Sequence, residues 1–182
     1  PKEGYRNFNG TARGSGQWVD VHSHDNFHQA VAAVRGQGMK IYAAHWSDRA
    51  VDYRQVDYSI PTAILMGAEM EGVSERAAEV ADEHILVPMM GMVGSLNVSV
   101  AAGIIMLEAQ HQREREGLYD RCRLDEQRYR DTLFRWCHTE VADYCHRHQV
   151  DYPPVDENGC LVDPSGWYQQ VRDGIAPRRC FS

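Results

Sequence analysis

Two segments of the chain combine glycines and polar side chains in a pattern that could hold a ligand. In one of them, an apolar run at residues 85–87 leads into a loop containing Gly91 and Gly94 and then into a helix. These glycines permit a tight turn and let a ligand approach the main chain closely. Ser95 is expected to cap the helix, and Asn97, in its first turn, to project its amide toward the loop. Purely local side-chain bonding at the helix start is the alternative for Asn97.

The other segment, at residues 62–72, places a carboxylate directly after a strand. Its apolar run has strand length and stops at Gly67, and Glu69 follows. This order predicts that Glu69 lies at the carboxyl end of a sheet strand, where open α/β sheets bind ligands. Glu71 is interpreted as an ordinary surface carboxylate.

Both segments resemble the SPOUT superfamily of methyltransferases, and specifically the branch that methylates the ribose 2′-OH of guanosine in tRNA. The resemblance rests on LMGAEMEGVSE at residues 65–75 and VPMMGMVGSLNVSVAA at residues 87–102. Two further segments, GQGMKIYAAHWSD at 36–48 and EAQHQRE at 108–114, are also similar to the family. The resemblance therefore covers most of the chain from about Gly14 onward.

This resemblance implies transfer of a methyl group from S-adenosylmethionine to a guanosine 2′-OH in tRNA by a homodimer. It implies that Glu69, Ser95 and Asn97 serve catalysis by positioning the substrate and the cofactor. Residues expected to line the cofactor pocket are Ala44, Gly67, Val87, Met90 and Leu96. The alternatives are a non-catalytic RNA-binding or cofactor-binding module of the same fold, and a ribose methyltransferase that acts on another RNA.

The catalytic arginine that the resemblance implies belongs to a motif that should precede the matched region. That motif is an Asn followed six residues later by an Arg, within an apolar strand and helix that together take ~30 residues. Asn7 and Arg13 have this spacing, but their surroundings are rich in glycine and lack an apolar strand or helix. The spacing is therefore interpreted as coincidence. The sequence predicts that this chain lacks the catalytic Arg and is nearly inactive.

Composition favours a cytoplasmic protein without a metal site. The 182 residues are 43% apolar, which can support a core, and no apolar run approaches ~18 residues. The pattern of a charged-then-apolar leader with a cleavage site is not seen in this sequence. Five cysteines without a CxxC pair indicate free thiols. Two clusters with possible metal ligands lack partners at metal-binding spacing: Cys145, His146 and His148, and the triple His22, His24 and His28.

The net charge of -7 is unfavourable for binding RNA phosphates, so the distribution of charge matters more than its sum. Arginine supplies nearly all the cations, with Lys2 and Lys40 as the lysines. Seven arginines between residues 113 and 135 are interleaved with acidic residues. This pattern predicts a solvated helix with intrahelical ion pairs, and leaves a minority of these arginines for RNA contact.

Alternation of apolar runs and helical patterns predicts an α/β fold with a parallel sheet covered by helices on both faces. Strands are expected at 18–22, 40–44, 62–66 and 85–87, and helices at 26–37 and 74–81. A long helix from Ser95 is expected to bury one stripe in the core, formed by Leu96, Val100, Ile104 and Leu107. The resemblance adds a C-terminal trefoil knot of the SPOUT type.

Two domains are expected, a methyltransferase core at residues 1–120 with its N-terminal part missing and a small helical C-terminal extension at 121–182. Within the extension, residues 132–148 predict one amphipathic helix, and 165–171 a short one. The apolar side of the longer helix is expected to consist of Leu133, Trp136, Val141 and Tyr144.

Overall fold

A computed structural model describes residues 18–68, 71–91 and 96–181. The predicted roles of Glu69 and Ser95, and the spacing of Asn7 and Arg13 that was interpreted as coincidence, thus fall on positions outside the described residues. Two compact units divide the chain: an α/β unit at residues 21–122, and a helical unit formed by residues 18–20 and 123–181.

The α/β unit alternates strands and helices along the chain, as the sequence predicts. Its elements are α1 (Phe27–Gly36), β1 (Lys40–Ala44), β2 (Val51–Asp52), a 3-10 turn (Tyr53–Gln55), β3 (Thr62–Leu65), α2 (Glu75–Ala78), β4 (Glu83–Leu86) and α3 (Val98–Arg115). Asn26 caps α1 by accepting a hydrogen bond from the Gln29 N–H at 3.0 Å. Ser74 caps α2 by accepting one from the Ala77 N–H at 3.4 Å. The helices predicted at 26–37 and 74–81 are confirmed, the second with a shorter C-terminal end.

Within the described residues, four parallel strands form a sheet in the order β2-β4-β1-β3. Lys40 of β1 pairs with Thr62 of β3, and Tyr42 pairs with Glu83 of β4. The strands predicted at 40–44, 62–66 and 85–87 are confirmed, with ends that differ by at most two residues. Strand β2 was not predicted, because a two-residue edge strand has no measurable periodicity.

Helices cover both faces of this sheet, which confirms the predicted layers. Ile41 and Ala43 pack on one face with Val31 and Val34 of α1. Their neighbour Tyr42 points to the opposite face, because successive strand side chains alternate. There it packs in a cluster with buried residues of the loop after β2, of β4 and of α3: Val56, Tyr58, Ile85 and Ile105.

Asp82 links the start of β4 to β1 and α1. Its carboxylate accepts hydrogen bonds from the Ile41 N–H at 2.7 Å and from Arg35 at 2.5 Å. Burial acts to raise the pKa of this carboxyl group, but the Ile41 N–H and the Arg35 guanidinium outweigh it and hold the pKa below its ordinary value. The ionised form of Asp82 therefore stabilises the fold.

Helix α3 turns a different side to the sheet from the one that the sequence predicts. Ile105 is 1% exposed, whereas Val100 is 50% and Leu107 53% exposed. The prediction that the stripe through Leu96, Val100, Ile104 and Leu107 forms core is therefore wrong. Hydrogen bonds explain the orientation, because Gln112 and Arg113 bind main-chain groups of the loop before β3; their partners are Val56, Tyr58 and Ile60.

The helical unit contains α4 (Glu126–Cys137), α5 (Thr139–His148) and α6 (Pro164–Arg172). The single helix predicted at 132–148 is wrong, because His138 has φ -131° and ψ 53°, which ends α4 before α5 begins. The predicted apolar side is also wrong in part, since Leu133 and Trp136 are 45% and 40% exposed. Helix α6 confirms the short helix predicted at 165–171.

Aromatic rings and a buried thiol fill the interior of the helical unit. Cys145 and Trp167 pack together with Val150 and Ala176. Burial raises the pKa of Cys145 to about 11, so this side chain is a neutral thiol near pH 7. The other four cysteines are free and exposed.

The strand predicted at 18–22 is wrong, because Trp18 and Asp20 contact side chains of α4 instead of a neighbouring strand. The Trp18 ring packs edge-on against Trp136 at 5.1 Å between centroids. Asp20 forms an ion pair with Arg135 at 3.1 Å. The apolar alternation in this segment thus serves packing against a helix.

Arginines between residues 113 and 135 have varied partners, and few form the predicted intrahelical pairs. Arg130 pairs with Glu126 one turn earlier at 2.5 Å, as the pattern predicts. Arg113 instead binds main-chain carbonyls, and Arg135 binds Asp20. RNA contact by any of these arginines stays a prediction.

The described residues contain neither a membrane-spanning helix nor a cluster of metal ligands. None of the helices in ranges 18–68, 71–91 and 96–181 is long and apolar enough to cross a membrane. Within the same ranges, no group of three or more His, Cys, Asp or Glu side chains could hold a metal ion.

Candidate active site

A cavity of about 750 Å³ lies at the carboxyl ends of β1, β3 and β4, next to the start of α3. Its size is within the range of ligand pockets, and its position is where open parallel sheets bind ligands. Four stretches of chain form its wall: residues 44–46 after β1, residues 66–68 and 71–72 after β3, residues 85–89 and 91 at and after β4, and Leu96, Val98, Ala101 and Ile105 at α3.

A tight loop between β3 and α2 forms one side of this cavity. Ala68 and Gly72 exchange two main-chain hydrogen bonds, of 3.2 Å and 2.8 Å. A Cβ atom on Gly67 would lie 1.8 Å from the carbonyl carbon of Gly72, so only glycine fits there. Gly72 has φ +65°, a conformation that side chains rarely adopt. Both glycines are thus required by the backbone of the loop.

Gly91 lies on the opposite side of the cavity and is under no such constraint. A Cβ atom there would meet nothing within 4 Å among the described atoms. Its φ angle is also outside the left-handed region. The expectation that Gly91 relieves a steric limit is therefore wrong for the backbone that the structure describes.

Four of the five residues predicted to line a cofactor pocket line this cavity: Ala44, Gly67, Val87 and Leu96. Met90 does not, and its side chain is fully exposed at 102%. Met89 and Gly91, on either side of Met90, line the cavity, whereas the Met90 side chain points away from it into solvent. Cofactor contact by these residues stays a prediction.

Asn97 precedes α3 as its N-cap, and is not inside the first turn as expected. Its side-chain oxygen accepts a hydrogen bond from the Ser99 N–H at 2.8 Å. The local bonding that was the alternative for Asn97 is thus present. Its neighbours Leu96 and Val98 line the cavity, so Asn97 fixes the point where α3 begins at the cavity wall.

Sequence reasoning missed three polar or aromatic residues of the cavity wall: His45, Trp46 and Glu71. His45 and Trp46 directly follow Ala44, so continuing the loop after β1 would have found them. Glu71 is exposed, as expected, but it also faces the cavity. His45 and Glu71 carry the titratable side chains among the described residues of the wall.

A buried histidine holds the segment after β1 in place. His84 of β4 is 5% exposed, and its two ring nitrogens contact Ser47 at 2.7 Å and Arg49 at 2.6 Å. The nitrogen that contacts Arg49, Nε2, also lies 3.0 Å from the Ala78 carbonyl oxygen, so the ring has polar partners at both of its nitrogens. The His45 ring packs edge-on against His84, with centroids 5.1 Å apart. These contacts fix the residues on both sides of Trp46.

This geometry defines an α/β enzyme fold with a ligand-sized cavity at the carboxyl edge of a parallel sheet, formed by main chain and small or apolar side chains. Such a wall suits an uncharged heterocycle and its sugar better than a phosphate, since the described wall carries no Lys or Arg side chain.

Comparison with known proteins gives the family. The model of the SpoU rRNA Methylase family matches residues 3–107, and the model of its C-terminal region matches residues 111–164. The chain belongs to this family of methyltransferases, whose methyl donor is S-adenosylmethionine.

Individual relatives agree with this assignment. The tRNA (guanosine(18)-2'-O)-methyltransferase of Escherichia coli is 41% identical over 174 residues, which are 94% of this chain and 76% of that protein. The enzyme of the same name from Thermus thermophilus is 48% identical over 136 residues, covering 75% of this chain and 70% of that one. The solved TrmH/SpoU tRNA modifying enzyme of A. aeolicus has a TM-score of 0.69 at 41% identity, covering 77% of this chain and 71% of that chain.

Proposed function

We propose that this protein transfers the methyl group of S-adenosylmethionine to the ribose 2′-OH of a guanosine in tRNA. The observation that carries the proposal is the 750 Å³ cavity at the strand ends, in a chain whose relatives are named as tRNA guanosine 2′-O-methyltransferases. S-adenosylmethionine supplies an electrophilic methyl group on a sulfonium. What the chain must add is position, together with acceptance of the hydroxyl proton.

Residues of the wall are assigned to this task by their place in the cavity. Ala44, Val87 and Leu96 offer apolar contact to the adenosine part of the cofactor, and the loop at Gly67 brings main-chain groups beside it. The roles proposed for Glu69, Ser95 and Asn97, placing the ribose and the cofactor, rest on the resemblance. Met90 is left without support for a cofactor contact, because its side chain is exposed.

A methyl-transfer assay with labelled S-adenosylmethionine tests the proposal. The sequence alone predicts a nearly inactive chain, but the family match begins at residue 3, and we therefore expect label in unmodified tRNA. We expect none in a matched tRNA with 2′-deoxyguanosine at position 18, the nucleotide in the relatives' names. Label in both tRNAs would contradict ribose methylation at that position. Tight binding of tRNA and cofactor without transfer would favour the non-catalytic alternative.

We further propose that the protein is a homodimer that meets through α3. Val100 and Leu107 are half exposed, and Gly103 between them is exposed, on the side of α3 opposite buried Ile105. A continuous apolar face on a helix that lines the cavity suits a second copy of the chain.

Substitution on this face tests the dimer. Leu107→Glu should convert it to a monomer in sedimentation, because a carboxylate would be buried without a partner. Ile175→Glu, a change at a 70% exposed residue of the helical unit, is the control and should leave the mass unchanged. A monomeric wild-type protein would rule the dimer out.

The trefoil knot of the family and a cytoplasmic location complete the proposal. Support for the knot is family membership, and support for the location is the tRNA substrate of the relatives. Pulling the chain from its ends tests the knot, because a tightened knot leaves the extension short of the ~3.3–3.6 Å per residue of a free chain.

A further inference from the structure

Trp46 is the most exposed large aromatic side chain among the residues with described burial, at 79%. It is also one of the residues that line the cavity, on the segment that follows β1. Tryptophan normally buries a large surface in a core or interface. An exposed indole beside a ligand cavity therefore suggests a partner that contacts it when the cavity is occupied.

The backbone on both sides of Trp46 is fixed, although the indole itself is exposed. Before it, the His45 N–H donates to the Ile85 carbonyl at 3.2 Å, and the His45 ring packs on His84. After it, Ser47 hydrogen-bonds to His84 at 2.7 Å. Within the described ranges, no aromatic ring or cation packs against the indole. Trp46 is thus a 79% exposed aromatic side chain on a fixed backbone, without a ring or cation partner among the described residues.

We infer that Trp46 stacks on a nucleobase of the substrate RNA at the mouth of the cavity. The inference rests on the proposed function and adds a positioning residue to it. A ribose inside the cavity requires its nucleotide, or the adjacent one, to leave the stack of the RNA. Stacking on an aromatic side chain compensates for that loss, and tolerates any base because every base has a π face.

Two other occupants fit the indole less well. A second copy of the chain would bury a continuous apolar face such as that of α3, whereas the neighbours of Trp46 are polar: His45, Ser47, Asp48 and Arg49. The adenine of the cofactor has apolar walls further inside the cavity, at Val87, Leu96 and Ile105. A base that arrives from solvent is the partner that a 79% exposed ring can accept.

Binding of unmodified tRNA to Trp46→Leu and Trp46→Phe tests this inference. Loss of one stacked base should raise the Kd for tRNA roughly 5- to 150-fold in Trp46→Leu. Trp46→Phe should retain most of the affinity because it keeps an aromatic face. Tyr119→Leu is the matched control, since Tyr119 is an exposed aromatic residue of the same unit at 57%, and its Kd should match that of the wild type.

Two further measurements separate stacking from other roles. The slope of log Kd against log salt should be the same in Trp46→Leu and wild type, because stacking neutralises no phosphate. Calorimetric affinity for S-adenosylmethionine without RNA should also be unchanged. A loss of cofactor affinity with unchanged tRNA affinity would assign the indole to adenine and overturn the inference.

The remaining outcomes distinguish this inference from the proposed function. Conversion of Trp46→Leu to a monomer in sedimentation would assign the indole to a subunit interface and overturn the inference. If Trp46→Leu binds tRNA as tightly as the wild type, the inference is overturned while the proposed function stands. A wild-type protein that does not bind tRNA would overturn both. Weaker tRNA binding by Trp46→Leu in a protein without methyl transfer would support the inference and refute only the catalytic part.

Discussion

The two units of the chain use opposite means to build an interior. In the α/β unit, the space at the strand ends is bounded by main chain, glycines and small side chains, which leaves a cavity of about 750 Å³. In the helical unit, rings fill the interior themselves: Phe134 stacks on Tyr152 at 4.3 Å, and His146 on Phe181 at 3.9 Å.

Charges follow the same division. The helical unit has a polar cavity of about 250 Å³, but its groups bind one another, since Arg179 pairs with both Asp131 and Asp151. In the α/β unit, few polar side chains belong to the described wall of the larger cavity. A ligand site thus needs a fixed backbone that side chains leave open, whereas the aromatic packing of the helical unit leaves a smaller cavity whose polar groups already have partners.

The largest expected effect is on the stability of the helical unit. Trp167→Ala should destabilise the helical unit by about 3–5 kcal/mol, because Trp167 is a 6% exposed core residue. Trp136→Ala, at a 40% exposed tryptophan of the same unit, should cost well under half of that. Circular dichroism during thermal unfolding measures both. If the protein loses affinity for the cofactor whenever the helical unit unfolds, the two units do not function independently.

A pair of glycines tests whether the backbone forms the cavity. Gly67→Ala should weaken S-adenosylmethionine binding on the order of 100-fold, because the new Cβ would displace the main chain of the loop by more than an ångström. Gly91→Ala borders the same cavity in open space and should change the affinity by about twofold or less. Calorimetry measures both affinities. Equal effects in the two variants would refute the assignment of the loop at Gly67 to the cofactor.

The smallest of these effects concerns pH and the link between β1 and β4. The pKa of Asp82 is held below its ordinary value in the folded state, so its stabilisation is present above that ordinary value and is lost as pH falls through the folded-state pKa. Asp82→Asn should cost about 1.5–3 kcal/mol at pH 7, the contribution of hydrogen bonds to a charged group.

Denaturant unfolding at several pH values measures this difference. It should shrink toward zero in acid, where wild-type Asp82 is itself protonated. Asp48→Asn, at an exposed carboxylate, should leave stability unchanged at every pH. A pH-independent difference for Asp82→Asn would contradict the role of its charge.

The sheet could be predicted because its signals are local. Strands β1, β3 and β4 each contain a short apolar run, and a glycine after β3 marks the point where a ligand can approach. The buried side of α3 could not be predicted, since Ile105 and Leu107 lie on different sides of the helix and both are apolar. Side-chain partners distant in sequence decide between them, in this case Gln112 with the main chain of Tyr58.

The candidate site shows the same limit. Ala44, Gly67, Val87 and Leu96 were predicted through the resemblance to the SPOUT superfamily, whose motifs lie at or next to these strand ends and the start of α3. Trp46 was missed because its interest lies in the exposure of its side chain, which the sequence does not show. That exposure follows from the positions of His45 and Ser47, which contact His84 on another strand. The break between α4 and α5 was missed because the apolar pattern continues through His138 without a proline or glycine.

The order of the strands in the sheet also bears on how the chain folds during its synthesis. β2 leaves the ribosome before β3, yet its neighbour among the described strands is β4, which comes after both. β1 can pair with β3 while β4 is still being made, but β2 must wait as an unpaired segment until β4 has docked against β1. The wall of the cavity includes residues of β4 and, later in the chain, of α3, so a nascent chain has the complete described wall only after Ile105 has been made.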